Sequence, residues 1–502
     1  MLAGVSLIGS PVLAYSKGMN KKVEPPVVQK EAPGTVPSVQ ALQAYSIPFT
    51  SNMKDPFEQE FRLPNGQSFD KEVIGKYSNN MNAVIKDFSQ RANQPDQFLN
   101  WVDLPKEQLK NIDKIYAQAA ELKTNGVNRP LVVLGIGGSK HTAEFLLNMN
   151  GVGNKGKVYF YSDIDPVSYE NFLKEVGGDV TNLNFLVVSK SGTTFETADG
   201  FKRFEDAVIK GYENKRFTHY DAVKMAQSHF AIATDQTGNG KNLRSKVGDK
   251  NNDGNNDYIK ELYIHDDVGG RFSMFDDPGI FAMAYAGVDK DTARRILESA
   301  AKTSEDLLSD DLSSNTAAKS AMMNMYSRDN GYKTTVHQLF GKLFESGGEN
   351  WYKQLYLESL KDFDYMVGKA PDSMHYATEG QFDPANRKSY NTVMTTMKSS
   401  NLLTNYLVNY NKYTSAIAQT YNETTPLTIE KLEVQDNKIS PEAIGRYIQS
   451  KHFETVYEGM LRRQVAGVTP PEGALPEVLQ PSVETYKNKF KQGEFQLTPG
   501  GD

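Results

Sequence analysis

Between residues 131 and 234 the chain alternates short apolar runs with longer amphipathic ones. LVVLGIG (131–137), KVYFYS (157–162), NFLVVS (184–189) and HFAIAT (229–234) are close to continuously apolar, which predicts strands buried on both faces. Between them, SKHTAEFLLNM, DPVSYENFLKEV and TFETADGFKRFEDAVIKG space their apolar residues every three or four positions, the period of a helix. Strands alternating with helices in this way build a parallel sheet with helices on both faces, and such sheets bind ligands at the carboxyl ends of their strands. Upstream, residues 70–125 read as mostly helical: Leu109, Ile112, Ile115, Tyr116 and Ala119 share one helical face. Downstream, helical spacing recurs near 290–310, 313–327, 347–361 and 440–463. The short runs KTTVHQL and TVMTTM are strand candidates there, so a second α/β unit is expected.

The apolar pattern is missing from residues 19 to about 55, where KKVEPPVVQKEAPGTVP predicts a linker. The expected organisation is therefore a flexible leader and linker over 1–55, a first α/β domain over 56–280, and a second over 281–495 with a C-terminal helix. The apolar start of the leader ends in Val12-Leu13-Ala14, which resembles a cleavage site, but no Lys or Arg precedes it. A cytoplasmic protein is expected, with export as the minority alternative. No apolar run reaches the ~18 residues of a membrane-spanning helix.

The 502 residues carry 56 basic and 62 acidic side chains, a net charge of -6, which argues against a nucleic-acid partner. Cysteine is absent, so disulfide frameworks, thiolate metal sites and thiol nucleophiles are excluded together. In DKNNDGNND, Asp249, Asn251, Asp253, Gly254 and Asp257 fit calcium-loop positions, but Lys260 stands where the loop needs its last carboxylate. A plain Asn/Asp turn is the preferred reading, and no metal is expected.

At the end of the third apolar run the composition switches to hydroxyls: Ser189, Ser191, Thr193 and Thr194, with Lys190 and Gly192 between them. A helix should begin at that point, and helix N-termini present unpaired N–H groups and the positive end of the helix dipole. Capping needs a single hydroxyl. This crowd of them points to a receptor for a small oxyanion, most often phosphate. GIGGSK, residues 135–140, is a second turn of the same kind, but it satisfies neither the dinucleotide fingerprint nor the P-loop pattern. Together the two loops suggest a sugar phosphate rather than a nucleotide.

With these residues in view, the chain resembles the glucose-6-phosphate isomerase family. The resemblance rests on five motifs in family order. They are Gly135-Ile136-Gly137-Gly138-Ser139; Ser189 through Thr197; Val268-Gly269-Gly270-Arg271-Phe272-Ser273; Gln354 through Ser359; and Gln480, Val483, Glu484 and Lys487. The resemblance implies two sugar-isomerase (SIS) domains of αβα sandwich form, each with a mainly parallel sheet. It implies a homodimer with shared sites, no metal or organic cofactor, and interconversion of glucose 6-phosphate with fructose 6-phosphate. By the same resemblance Ser189, Ser191 and Thr194 hold the phosphate and Ser139 lines the site. Gly138, Lys190, Thr193, Gly270, Gln354 and Gln480 are the remaining substrate-site positions. Arg271 stabilises an enediolate, Glu358 shuttles the proton, and Lys487 and a histidine assist ring opening. His375 has the right spacing from Glu358 for that histidine, although Met374 precedes it where the family usually has glutamine.

The chemistry supports these roles independently. Moving a carbonyl between C1 and C2 needs one base to remove a carbon-bound proton and return it one atom away, and a nearby cation for the developing oxyanion. An arginine is permanently charged and planar, which suits the second role. The alternatives are a relative that also takes mannose 6-phosphate, and a catalytically silent sensor of sugar phosphates.

Overall fold

The four apolar runs of the first half all become strands. The structure is a computed structural model that describes residues 55–125, 129–152, 158–192, 194–236, 258, 260–344, 347–362, 364–370, 389–399, 405–422, 425–435 and 438–479. All of these fall in one unit, Ile47–Asp502. In chain order the strands are β1 (Phe57–Arg62), β2 (Leu131–Leu134), β3 (Val158–Tyr161), β4 (Asn184–Val188), β5 (Phe230–Asp235), β6 (Lys260–Ile264), β7 (Thr334–Phe340), β8 (Tyr365–Ala370), β9 (Tyr390–Ser399), β10 (Leu427–Gln435) and β11 (Lys438–Ile439).

The first sheet has the order β3-β2-β4-β5-β6 and is parallel throughout. β2 to β5 are largely apolar because both faces are covered. Leu131, Val133, Leu186 and Val188 join one hydrophobic cluster. The alternating residues Val132, Leu134, Phe185 and Val187 join another on the opposite face. Leu134 is level with Tyr161 on one side and Val187 on the other, so the carboxyl ends line up. The chain runs outward from β2 to β3, then returns past β2 to β4. The strand order therefore reverses between β2 and β4, and a crevice opens outside their carboxyl ends.

The second sheet has the order β1-β10-β9-β7-β8, with β11 added on β10. It is parallel except for β1 and β11, which run antiparallel to β10. The α/β class with mainly parallel sheets and extra helices is thus the one adopted. One strand from near the start of the described chain, β1, belongs to the later sheet. The helices Lys290–Leu307, Thr316–Asp329, Gly347–Leu360 and Pro441–Val465 fall on the runs with helical spacing. Pro441–Val465 is buried from Ala443 to Leu461 except at Arg446. Its Lys451 is fully buried and stays charged by pairing with Glu430 and with Glu454 at 2.6 Å.

Candidate active site

The crevice is lined by two turns whose glycines set their shape. After β2, Gly137 takes φ +60° and ψ −129°, a conformation favouring glycine, and helix Gly138–Met149 starts without a side-chain cap. After β4, Gly192 has φ +63°. Thr194 then occupies the N-cap position of helix Phe195–Asn214, yet its side chain makes no capping bond. The bland reading of this hydroxyl as a helix cap therefore fails. Ser189 is 3% exposed, and its hydroxyl has no partner among the described residues. A buried hydroxyl without a partner is costly unless something binds there. The two turns touch: a Cβ on Gly135 would lie 3.0 Å from the Ser139 Cβ and 3.3 Å from the Val188 carbonyl.

The second group of residues reaches this crevice through glycines. Gly138 backs onto Gly270 so closely that a Cβ would fall 2.1 Å from the Gly270 carbonyl oxygen. Gly137 lies against the Gln354 amide. Helix Gly347–Leu360, which carries Gln354 and Glu358, packs onto helix Gly138–Met149 where Gly347 and Gly348 leave room for Phe145.

Arg271 is fully buried, yet it is a cation with every direction of its fork used. Its Nε donates to Ser359 Oγ at 2.7 Å and Nη1 to Glu358 Oε2 at 3.4 Å. Its Nη2 donates to the carbonyls of Glu477 and, at 3.4 Å, Leu479. The Arg271 carbonyl accepts from Trp351 Nε1 at 3.0 Å. Burial pulls the guanidinium down to about 10, and Glu358 and Glu477 oppose the shift, so it remains charged at neutral pH. Glu358 is held from two sides, by Arg271 and by Gln354 Nε2 on Oε1 at 3.2 Å. Its side chain keeps 30% exposure, so the carboxylate is oriented but still open to a ligand. A fixed carboxylate beside a buried cation is an arrangement that can take a proton and hold the negative charge left behind.

The structure thus brings together Gly138, Ser139, Ser189, Gly270, Arg271, Gln354 and Glu358, with Ser191 and Thr194 on the adjoining turn. Lys190 goes elsewhere. Its Nζ donates to the carbonyls of Asp266 and, at 3.0 Å, Val268, and lies 5.7 Å from the centre of the Phe98 ring. Burial lowers its affinity for a proton, and Asp266, Asp276, Asp267 and Asp235 oppose that. Thr193, His375, Gln480 and Lys487 lie outside the described residues, as do residues 249–257, for which the sequence predicts a plain Asn/Asp turn. Sequence reasoning missed Ser359, the carbonyls of Glu477 and Leu479, and Lys361, which donates to the carbonyls of Glu358 and, at 3.0 Å, Leu479. Ser359 had a signal, being the neighbour of Glu358 inside a motif. Backbone carbonyls have none.

Similarity to known proteins agrees with this geometry. The family described as phosphoglucose isomerase matches residues 97–359, more than half of the chain. Glucose-6-phosphate isomerase of Staphylococcus epidermidis is 29% identical over 319 residues, covering 62% of this chain and 66% of that protein. The Mycoplasma capricolum enzyme of the same name is 29% identical over 296 residues, 58% of this chain and 62% of its own. The chain thus matches just under two-thirds of the length of these relatives. The fold is shared with a glucose-6-phosphate isomerase from Chlamydia trachomatis, at TM-score 0.64 and 16% identity over 91% of this chain and 90% of that one. It is also shared with a hypothetical protein from Thermus thermophilus, at TM-score 0.66 and 19% identity over 88% of this chain and 100% of that one. With its glycine turn, Arg271 and Glu358 all inside the matched stretch, the chain belongs to the phosphoglucose isomerase family.

Proposed function

We propose that this chain interconverts D-glucose 6-phosphate and D-fructose 6-phosphate through a cis-enediolate. The carrying observation is the contact of Gly138 with Gly270, which joins an uncapped pair of helix N-termini to the Glu358–Arg271 pair. In this reading the phosphate rests on Ser189, Ser191, Thr193 and Thr194, with Ser139 lining the site. Glu358 takes the C2 proton of the open-chain aldose and returns it to C1. The C2–H electron pair becomes the second C1–C2 bond as the carbonyl π pair moves onto O1, where Arg271 offsets the charge, and the O2 hydroxyl proton passes to O1 before C1 takes back the proton held by Glu358. Gln354 keeps Glu358 aimed. His375 and Lys487 open the ring.

The proposal includes a cytoplasmic homodimer, and a division of the globular part into SIS-type domains at 56–280 and 281–495, with β1 of the first stretch adding to the sheet of the second. Among the described residues, no helix is long and apolar enough to cross a membrane. The test is a coupled assay that follows glucose 6-phosphate formed from fructose 6-phosphate, with mannose 6-phosphate in parallel. Turnover of fructose 6-phosphate supports the reading, and equal turnover of mannose 6-phosphate broadens the substrate class. Absence of turnover together with binding of 6-phosphogluconate would replace it with a sensor.

A further inference from the structure

Arg271 lies midway along a loop, residues 266–275, that leaves β6 and returns at helix Asp277–Ala286. At the mouth of this loop, His265 gives Asp276 two bonds. Its backbone N–H donates to Oδ2 at 3.1 Å, and its ring Nδ1 donates to Oδ1 at 2.7 Å. The His265 side chain is 11% exposed and that of Asp276 is buried, at 1%. Resting on the isomerase reading above, we propose that His265 and Asp276 form a clasp that closes this loop and are positioning residues for Arg271.

Asp276 also caps the helix, accepting from Asp277 N at 3.2 Å. A cap alone needs one oxygen and no histidine, so the second bond has another purpose. The loop is held from inside as well. Lys190 grips the carbonyls of Asp266 and Val268. Ser273 Oγ donates to the Gly270 carbonyl at 2.7 Å. Phe272 stacks on Trp101 with centroids 5.1 Å apart, and Met274 and Phe275 are buried. With its two ends tied, the loop has little room to shift the guanidinium relative to Glu358. Opening the clasp returns chain entropy to the whole segment.

The charge balance fits a clasp. The groups facing His265 are Asp276, Asp277 and, from helix Leu104–Asn125, Glu107 at 3.5 Å from Nε2. Burial disfavours the imidazolium, but the bond to Asp276 and the charges of the three acids outweigh it and raise the ring to about 8. At neutral pH the ring is thus mostly charged as well as hydrogen-bonded to Asp276, and that charge adds to a bond that geometry already makes.

The test uses the full chain with His265→Phe and His265→Asn, the latter keeping an N–H donor near the Nδ1 position. Amide hydrogen exchange of residues 266–275 should quicken roughly tenfold in His265→Phe and stay near the parent in His265→Asn. In fructose 6-phosphate turnover, His265→Phe should lower kcat by about 10- to 100-fold, because the loop carries Arg271, and His265→Asn should restore most of kcat. If His265→Phe does not fold, Asp276→Ser carries the same expectation, since it keeps a cap but cannot take both bonds. Unchanged exchange in the loop, or a loss of kcat that His265→Asn does not restore, overturns the clasp. If the parent itself shows no turnover, the isomerase reading fails, and the exchange result still decides the clasp.

Discussion

A methyl group on residue 138 would arrive 2.1 Å from the Gly270 carbonyl oxygen and 2.3 Å from its carbonyl carbon. Both are backbone atoms, so neither can move aside by changing rotamer. Ordinary contact begins at 3.4 Å. Gly138→Ala must therefore separate the start of helix Gly138–Met149 from the Gly270 turn by roughly 1.3 Å, an overpacking strain of about 1–3 kcal/mol. Arg271 is the next residue after Gly270, and Ser139 the next after Gly138. The separation falls between the phosphate turns and the charged pair, the two parts that must act on one substrate. A misplacement of about 1 Å can cost 100-fold in rate, so kcat/KM for fructose 6-phosphate should fall about 100-fold. The control is Gly473→Ala, where a Cβ meets nothing within 4 Å. It should match the parent in both melting temperature and rate. Turnover of Gly138→Ala within twofold of the parent would refute the reasoning, because it would mean that the close approach is not needed to assemble the site.

Arg271→Lys should lose about 10²-fold or more in kcat and lower the melting temperature, because one ammonium cannot serve Ser359, Glu358 and the two carbonyls together; kinetics with a melting curve checks it. Thr194→Ala should weaken sugar-phosphate binding about 10- to 100-fold by titration calorimetry while leaving the melting temperature unchanged, since this hydroxyl makes no cap bond in the helix. His265 has its affinity for a proton raised on folding, so its stabilising share is full below about pH 6.5 and is lost as pH rises through about 8. Melting temperature should fall across that window by the equivalent of up to about 2 kcal/mol, and the fall should be smaller in His265→Asn.

Four of the five strands of the first sheet were legible because their signal is local: β2 to β5 are short apolar runs, amphipathic helices follow β2, β3 and β4, and the ends of β2 and β4 carry the glycines and hydroxyls. β6, whose sequence is KELYI, has no such run. The strand ends shifted by one to three residues: LVVLGIG contains β2 only to Leu134, since Gly135 and Gly137 turn the chain away. Other elements left no such pattern. Helix Asp277–Ala286 is buried almost all round, so it has no polar face to give it a period. β10, whose sequence is LTIEKLEVQ, mixes apolar residues with Glu430, which is buried and bonded to Lys451 and Thr395. Such a carboxylate looks like a surface residue until its partners are known. In the site, Arg271 and Glu358 could be named from motifs. Their contact could not, because 87 positions separate them and the tertiary fold alone brings them to 3.4 Å. Lys190 shows the opposite case: its motif suggested a ligand contact, and its long side chain instead reached two loop carbonyls.

The central claim is that Glu358 moves the proton between C2 and C1. Its most direct measurement is solvent exchange at C2 of glucose 6-phosphate in deuterium oxide, followed by proton NMR, for the parent chain and for Glu358→Gln. The amide keeps the shape and can still meet Arg271 and Gln354, but it cannot act as a base. The account predicts deuterium at C2 with the parent and a loss of about 10⁴-fold in exchange and turnover with Glu358→Gln, while 6-phosphogluconate binds both within a few-fold. Exchange by Glu358→Gln at the parental rate would contradict the account and assign the proton transfer to another group.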